Sequence, residues 1–187
     1  MKKTARFIVL IVMIVSVISI LTGCGTVETG SHVETGSTSN NGSVATKEEI
    51  PTIKVGETWV VDNQWRITVN SVKRTKYRNS YSEKNANDVI YITYSYENIG
   101  YEDNSGIMDG LYFSLEDEQI IDSEGEMGYS YPGDTAVYPQ ETPVGAKCSN
   151  VQNCIGLNNK SDTITINVSK YDGDGNLQKA KFVLDVE

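Results

Sequence analysis

Apolar and polar residues alternate at every second position through much of the chain after residue 53. In residues 162–169 the apolar Ile164, Ile166 and Val168 alternate with threonine and asparagine. The same period of two occurs in three further segments, residues 65–70, 89–96 and 180–186. Because successive side chains of a strand point to opposite faces, this period predicts strands that each bury one face.

Short apolar runs bounded by turn residues predict four more strands, at residues 54–61, 110–115, 127–131 and 145–157. Turn signals separate the runs, such as Asp62-Asn63 and Pro132-Gly133-Asp134. No segment has the apolar spacing of an amphipathic helix. Seven or eight short strands with turns at these intervals predict an all-β domain, an immunoglobulin-like antiparallel β-sandwich.

The first residues of the chain have a different pattern. Lys2, Lys3 and Arg6 precede an apolar run at residues 7–21. As a helix that rises about 1.5 Å per residue, this run spans about 22 Å, whereas the hydrocarbon core of a bilayer is about 30 Å thick. The segment is therefore interpreted as the core of an export signal.

Leu21, Thr22, Gly23 and Cys24 follow the apolar run. This tetrapeptide resembles the lipobox of bacterial lipoproteins, in which the cysteine thiol receives a diacylglyceryl group before the signal is cleaved. The resemblance implies a signal peptide at residues 1–23 and acylated Cys24 on the extracytoplasmic face of the cell membrane. Two or more acyl chains anchor a protein stably. The alternative is an uncleaved helical anchor in which Cys24 is incidental.

Residues 24–52 are rich in glycine, serine, threonine and asparagine and contain no aromatic residue. They include the repeat Val-Glu-Thr-Gly-Ser at residues 27–31 and 33–37. Such a segment buries too little apolar surface to offset the entropy of ordering it. We therefore predict a flexible tether at residues 24–52 and one folded domain at residues 53–187.

The net charge and the histidine content argue against several classes of function. Without the three basic residues of the signal, 13 lysines and arginines face 25 acidic residues, a net charge near −12. A nucleic-acid partner requires the opposite balance, and an anionic membrane or wall surface should repel the domain. The one histidine, His32, lies in the tether, which removes Ser-His-Asp and Cys-His catalysis and most zinc sites from the domain. No carboxylate pair identifies a hydrolase, so we predict no enzymatic activity.

Two cysteines, Cys148 and Cys154, follow the tether. In an exported domain such a pair predicts a disulfide. The five intervening residues are enough for a turn, and closing that loop would contribute about 2.4 kcal/mol. A free, buried pair is the alternative.

A cation site and a binding surface are the remaining candidates. Asp172, Asp174 and Asn176 place oxygen ligands at alternate positions, as Ca²⁺ prefers, but the twelfth position of an EF-hand loop would be Val183. A polar hairpin turn is therefore favoured, with calcium as the alternative and no other cofactor expected. The turn-rich tyrosines Tyr77, Tyr81 and Tyr101 either pack against the domain or form a binding surface for a sugar or peptide.

Several stretches of the domain resemble a known family. Gly56-Glu-Thr, Trp65-Arg-Ile-Thr-Val and Tyr91-Ile-Thr-Tyr-Ser-Tyr-Glu-Asn-Ile-Gly100 look like the first half of immunoglobulin-like extracellular bacterial lipoprotein domains of uncharacterised function. Residues 157–182 resemble their last hairpin. These domains are grouped with a small secreted immunoglobulin-like antigen of mycobacterial type. The resemblance implies a fold and an extracellular location and supplies no catalytic residue.

These observations predict a lipid-anchored, extracytoplasmic, non-catalytic binding module. Its loops would contact a protein or cell-wall partner, and the membrane would be reached through the lipid. The alternative is an accessory or sensor subunit that binds a small ligand or Ca²⁺.

Overall fold

A computed structural model of the protein describes residues 49–103 and 110–187. The described residues all belong to one compact unit. No helix within them is long and apolar enough to cross a membrane. The predicted signal peptide and nearly all of the predicted tether lie outside these residues.

Two packed sheets make up the described part of the chain. One sheet has the strand order β1-β9-β8-β5, and the other has the order β2-β3-β4-β7-β6. Thr52–Ile53 (β1) runs parallel to Leu177–Asp185 (β9), and the other paired strands are antiparallel. The remaining strands are Thr58–Val61 (β2), Trp65–Thr75 (β3), Asp88–Asn98 (β4), Gln119–Ile121 (β5), Tyr129–Ser130 (β6), Lys147–Leu157 (β7) and Thr163–Tyr171 (β8). The predicted all-β sandwich is confirmed.

The core lies between the sheets and is formed by the apolar faces that the period of two predicts. Trp65 on β3, Ile92 on β4 and Ile166 on β8 have no exposed surface. Trp59, Trp65 and Phe113 pack edge to face with ring centroids 5.8 to 6.4 Å apart. Such aromatic pairs add to the stabilisation that burial of their apolar surface provides.

A bulge interrupts the pairing of β4 with β7. Tyr94 lies opposite Val151, and Tyr96 lies opposite Cys148. Between these pairs, Ser149 and Asn150 of β7 lie opposite the single residue Ser95 of β4. Asn150, one of these two, has a φ of 58°. An inserted residue shifts the alternation of side chains by one position. Even-numbered residues before the bulge therefore lie on the same face as odd-numbered residues after it. The bulge therefore decides which side chains of β7 reach the core.

Two predicted elements differ from the structure. Residues 110–115 form no strand, although Leu111 makes an isolated bridge to Thr142 and a short 3₁₀ helix spans Leu115–Asp117. Their alternating apolar residues are nevertheless buried. The second difference is at residues 116–126, where the sequence pattern predicts no strand: this acidic stretch contains β5, which pairs with β8 and buries Ile120.

Candidate functional site

The predicted lipid-attachment residue, Cys24, and the lipobox residues before it lie outside the described residues. The acyl anchor therefore stays a prediction from sequence.

The predicted disulfide between Cys148 and Cys154 is wrong. Both residues belong to the continuous strand β7, so the residues between them form no turn. The two cysteines are six positions apart in the strand, which places their Cα atoms about 20 Å apart. A disulfide requires a Cα–Cα distance of about 4.4 to 6.8 Å. Because the bulge lies between them, Cys148 joins the main core and Cys154 joins a separate cluster with Val89 and Tyr131. Both thiols are free and buried.

The surroundings of Cys154 make its thiol chemically inert. Burial raises the pKa of the Cys154 thiol to about 11, although a hydrogen bond with Tyr91 opposes the rise. The thiolate is the nucleophilic form of cysteine. At neutral pH this side chain is therefore a small apolar group in the cluster.

The predicted polar turn at residues 172–176 is confirmed, because it joins β8 to β9. The carboxylate of Asp172 accepts hydrogen bonds from the backbone N–H groups of Asp174 (3.0 Å) and Asn176 (2.8 Å) and from Nε2 of Gln178 (2.8 Å). Although burial opposes it, these donors lower the pKa of Asp172 below its usual value. The carboxylate that would begin a calcium loop is thus turned toward N–H donors of its own hairpin. Calcium binding stays the alternative interpretation of this loop.

The structure does not bring the three candidate tyrosines together. Tyr77 and Tyr81 are exposed in the loop before β4, whereas Tyr101 follows the other end of that strand. The eleven residues of β4 span about 33 Å. Tyr101 packs edge to face against Trp65, with 5.7 Å between ring centroids. It is therefore a packing residue, and the other two form a separate surface.

A groove of about 660 Å³ lies along one edge of the sandwich, where β1, β2 and β9 meet. Three exposed apolar side chains line it: Ile50, Val60 and Leu177, at 51%, 44% and 42% exposure. Trp59 lies among the lining residues and is itself buried. Contiguous apolar surface on a soluble domain marks binding sites. We name this feature the edge groove.

The backbone along the edge groove is also unpaired. The N–H of Lys181 donates to the carbonyl of Pro51 (2.9 Å), and β1 continues the pairing for two residues. Pro51 has no N–H to extend the ladder in the other direction. Because backbone groups alternate in direction along a strand, those of Leu177 and Lys179 point to the same side as those of Lys181. β8 pairs with the other side of that part of β9, but within the described residues no strand pairs with it on the side of the edge groove.

Lysines border the edge groove on its outer side. Lys179 lines the edge groove and also, with Lys181, a depression on the outer face of the four-stranded sheet. Asp117 and Glu118 line the same depression, so two lysines and two carboxylates lie beside the edge groove. Lys179 is the cation that lines the edge groove itself, together with the acidic Glu49.

The edge groove was missed by the sequence predictions, although the sequence contains a signal for it. In β9 the buried residues are Ala180, Phe182 and Leu184. Leu177 lies on the opposite face of the strand, which is exposed. Val60 likewise occupies the exposed phase of β2, between buried Trp59 and Val61. An exposed apolar residue on the edge strand β2, and another on the part of β9 that β1 does not cover, indicate a surface that another chain covers.

Family models, curated proteins and solved structures were compared with this chain, and none matched it. The function is therefore inferred from the chain's own residues.

Proposed function

We propose that the protein is a lipid-anchored, non-catalytic binding module on the extracytoplasmic face of the cell membrane. The edge groove takes up an extended segment of a partner protein. The observation that carries this proposal is the unpaired edge of β9 at Leu177–Lys179, which lies beside the exposed apolar side chains of Ile50 and Val60.

An extended segment fits the edge groove because β9 offers it a ladder of hydrogen bonds. In recognition by strand addition, main-chain hydrogen bonds supply affinity and pockets for alternate side chains supply specificity. Here the N–H and C=O groups of Leu177 and Lys179 supply the ladder. The side chains of Ile50, Val60 and Leu177 supply the apolar contacts.

The charges beside the edge groove specify the chemistry of the partner. A strand added to β9 places alternate side chains beside Lys179 on the outer face. Opposite charges in neighbouring strands contribute about 0.2–1 kcal/mol per pair. Because Leu177 and Lys179 lie on the same face of β9, the favoured segment carries an acidic residue beside Lys179 and an apolar residue two positions away, beside Leu177.

Two further features support a tethered, non-catalytic module. The lipobox at residues 21–24 and the following Gly- and Ser-rich segment are what a surface-anchored domain requires. Within the domain, the Cys154 thiol is neutral at physiological pH and no histidine is present to activate a nucleophile.

Selection of displayed peptides on the purified protein, followed by amide hydrogen exchange, tests the edge groove. We expect the selected peptides to carry an acidic residue and an apolar residue two positions apart and to slow amide exchange at Leu177 and Lys179. Val60→Lys should abolish their binding, whereas Val144→Lys, at a valine that is 54% exposed away from the edge groove, should leave it unchanged. Peptides that bind both variants equally, or that slow exchange elsewhere, would overturn the proposal.

A further inference from the structure

Positive charge is concentrated in one segment of this acidic chain. Five of the 13 lysines and arginines after residue 23 lie at residues 73–84, a span with a single acidic residue, Glu83. Most of this span belongs to the connection between β3 and β4, residues 76–87, which we name the tyrosine loop. Basic charge and exposed tyrosines therefore occur together there.

The basic residues of this span divide into paired and unpaired groups. Arg74 is paired with buried Asp88, and Lys73 lies 4.0 Å from Glu187. Within residues 49–103 and 110–187, no ion pair involves the loop's own basic residues, which are Lys76, Arg78 and Lys84. Nζ of Lys84 lies over the ring of Tyr129, 4.4 Å from its centroid. The tyrosine loop thus carries three cations and one carboxylate, and none of the three cations is neutralised by an ion pair within the described residues.

Hydrogen bonds hold the tyrosine loop against the sandwich. The guanidinium of Arg78 donates to the carbonyls of Thr75 (3.0 Å) and Asn87 (3.2 Å), which lie on either side of the loop. The backbone N–H of Asn79 donates to the hydroxyl of Tyr131 (2.9 Å). In this anchored loop the side chain of Tyr81 is 93% exposed. Its ring has no packing role and is available to a partner.

We propose that the tyrosine loop docks the domain on an anionic phospholipid bilayer. Lys76 and Lys84 would contact lipid phosphates, and Tyr81 would place its ring at the level of the headgroups. Basic side chains near an anionic membrane surface are attracted to it, and tyrosines are enriched at membrane interfaces. The rest of the domain is acidic and is repelled, so the charge distribution selects one orientation.

The length of the tether permits this contact. Twenty-five residue-to-residue steps separate Cys24 from Glu49, and a fully extended chain of that length reaches about 85 Å. The nine residues of β9, which run along the sandwich, span about 30 Å. A domain anchored at Cys24 therefore has enough chain to turn either end toward the bilayer. This step rests on the lipid anchor of the proposed function.

The proposed orientation leaves the edge groove accessible. Leu177 begins β9 beside the groove, and Asp185 ends it. Just after that end, the backbone of Glu187 bonds to the backbones of Val72 and Arg74, next to the tyrosine loop. With the tyrosine loop on the bilayer, the groove faces away from the membrane toward partner proteins.

Vesicle co-sedimentation tests the docking without the lipid anchor. The processed chain from residue 24 onward, with Cys24→Ser, keeps the tether and the folded unit but carries no acyl chain. We expect it to bind vesicles of phosphatidylcholine and phosphatidylglycerol at low salt, and to bind neither phosphatidylcholine alone nor the anionic vesicles at high salt.

Charge-matched variants locate the contact. Replacing Lys76 and Lys84 by glutamine should weaken binding about 30-fold, since each lysine near the surface contributes about 1 kcal/mol. Replacing Lys54 and Lys147, two exposed lysines outside the tyrosine loop and the edge groove, by glutamine changes the net charge equally and should leave vesicle binding unchanged. Tyr81→Ser should weaken binding, and Tyr138→Ser, at another exposed tyrosine, should not.

Absence of binding to anionic vesicles, or an equal loss in the two lysine pairs, would overturn the docking. Melting curves of the variants establish that they remain folded. Peptide binding by the edge groove of the same Cys24→Ser chain is measured separately without vesicles. Failure of the docking is thus distinguishable from failure of the proposed function.

Discussion

Asp122 and Asp172 organise two separate hairpin turns with the same hydrogen bonds. In each turn one carboxylate oxygen accepts the backbone N–H groups of the residues two and four positions later. The donors are Glu124 (3.0 Å) and Glu126 (2.9 Å) in the first turn and Asp174 (3.0 Å) and Asn176 (2.8 Å) in the second.

A glycine in the left-handed region completes each turn. Gly125 has a φ of 88° and Gly175 a φ of 84°, and the N–H of each donates to the carbonyl of the aspartate three residues before it. Asp-x-acidic-Gly is thus a turn-forming sequence in this chain. This accounts for the acidic residues of both hairpins without a metal ion.

Calcium should therefore leave the stability of the protein unchanged. A ligand that binds the native state raises the melting temperature as its free concentration increases. We expect no shift in thermal unfolding across the millimolar range of Ca²⁺, because the oxygens of Asp172 already accept N–H donors. A calcium-dependent rise that disappears in Asp172→Asn would contradict this account.

Asp122 should contribute more stability than an exposed acid. Its second carboxylate oxygen accepts the backbone N–H (3.2 Å) and the side-chain Nδ2 (3.0 Å) of Asn159, and the residue is buried. We expect Asp122→Ala to lower the free energy of unfolding by about 2–3 kcal/mol, because four donors lose a charged acceptor. Urea titration measures this, with Glu124→Ala as the exposed control.

The same carboxylate predicts a pH dependence. Burial raises the pKa of Asp122, but the four hydrogen-bond donors lower it by a larger amount. The pKa of Asp122 is therefore below its usual value. A lowered pKa stabilises the fold above the unfolded-state pKa of about 4, and the stabilisation is lost as pH falls through the folded-state pKa. Urea midpoints of the wild type and Asp122→Ala should converge in acid. A difference that stays constant below about pH 4 would contradict this.

The long strands were predictable from sequence where one face is buried, whereas the three-residue strand β5 was not. The alternation in β3, β4, β8 and β9 identifies the core residues because a strand repeats every two residues. The bulge at Asn150 was not predictable, because its conformation depends on pairing with a distant strand. The disulfide prediction was wrong because β7 continues through the five residues that were expected to form a turn. Pairing with the distant strand β4 keeps these residues extended.

The candidate site was predictable only in part. The exposure of Tyr77 and Tyr81 follows from their turn-rich segment. The edge groove exists because β1 pairs with β9 over only two residues. A strand of two residues is too short to show an alternating pattern of apolar and polar residues in the sequence. Strands separated by more than a hundred residues meet there, so local patterns do not locate it.

Both domain cysteines should react as free, protected thiols. We expect no mass change on reduction, and labelling of Cys148 and Cys154 by a maleimide only after unfolding. A reduction of the native protein that adds two hydrogens, with simultaneous labelling of both residues, would contradict the structure.

Alkaline pH should destabilise the fold through Cys154. Because burial raises its folded-state pKa to about 11, stabilisation is complete below the unfolded-state pKa of about 8.5 and is lost as pH rises toward 11. Cys154→Ala should reduce the slope of stability against pH in this window. An unchanged slope would contradict the assignment, and Cys148→Ala serves as the comparison.

The ion pair of Arg74 with Asp88 should be among the more important polar contacts. Asp88 is 2% exposed, and its Oδ2 lies 2.9 Å from Nε of Arg74, whose Nη2 donates to the carbonyl of Ser161 (2.7 Å). Asp88→Ala removes the nearer partner of a partly buried cation, leaves Arg74 only the exposed Asp162 at 3.5 Å, and should cost about 3 kcal/mol. Glu97→Ala removes the exposed pair with Arg66 and should cost less than about 1 kcal/mol. Equal losses in urea titration would contradict this.

The intact mass of the protein isolated from its own cell envelope tests the central claim most directly. The account predicts a chain that begins at Cys24, carries a diacylglyceryl group on the thiol and is recovered with the membrane. A chain that begins at Met1, without acylation and recovered from the cytosol, would contradict the anchor, the proposed partner and the docking on the bilayer.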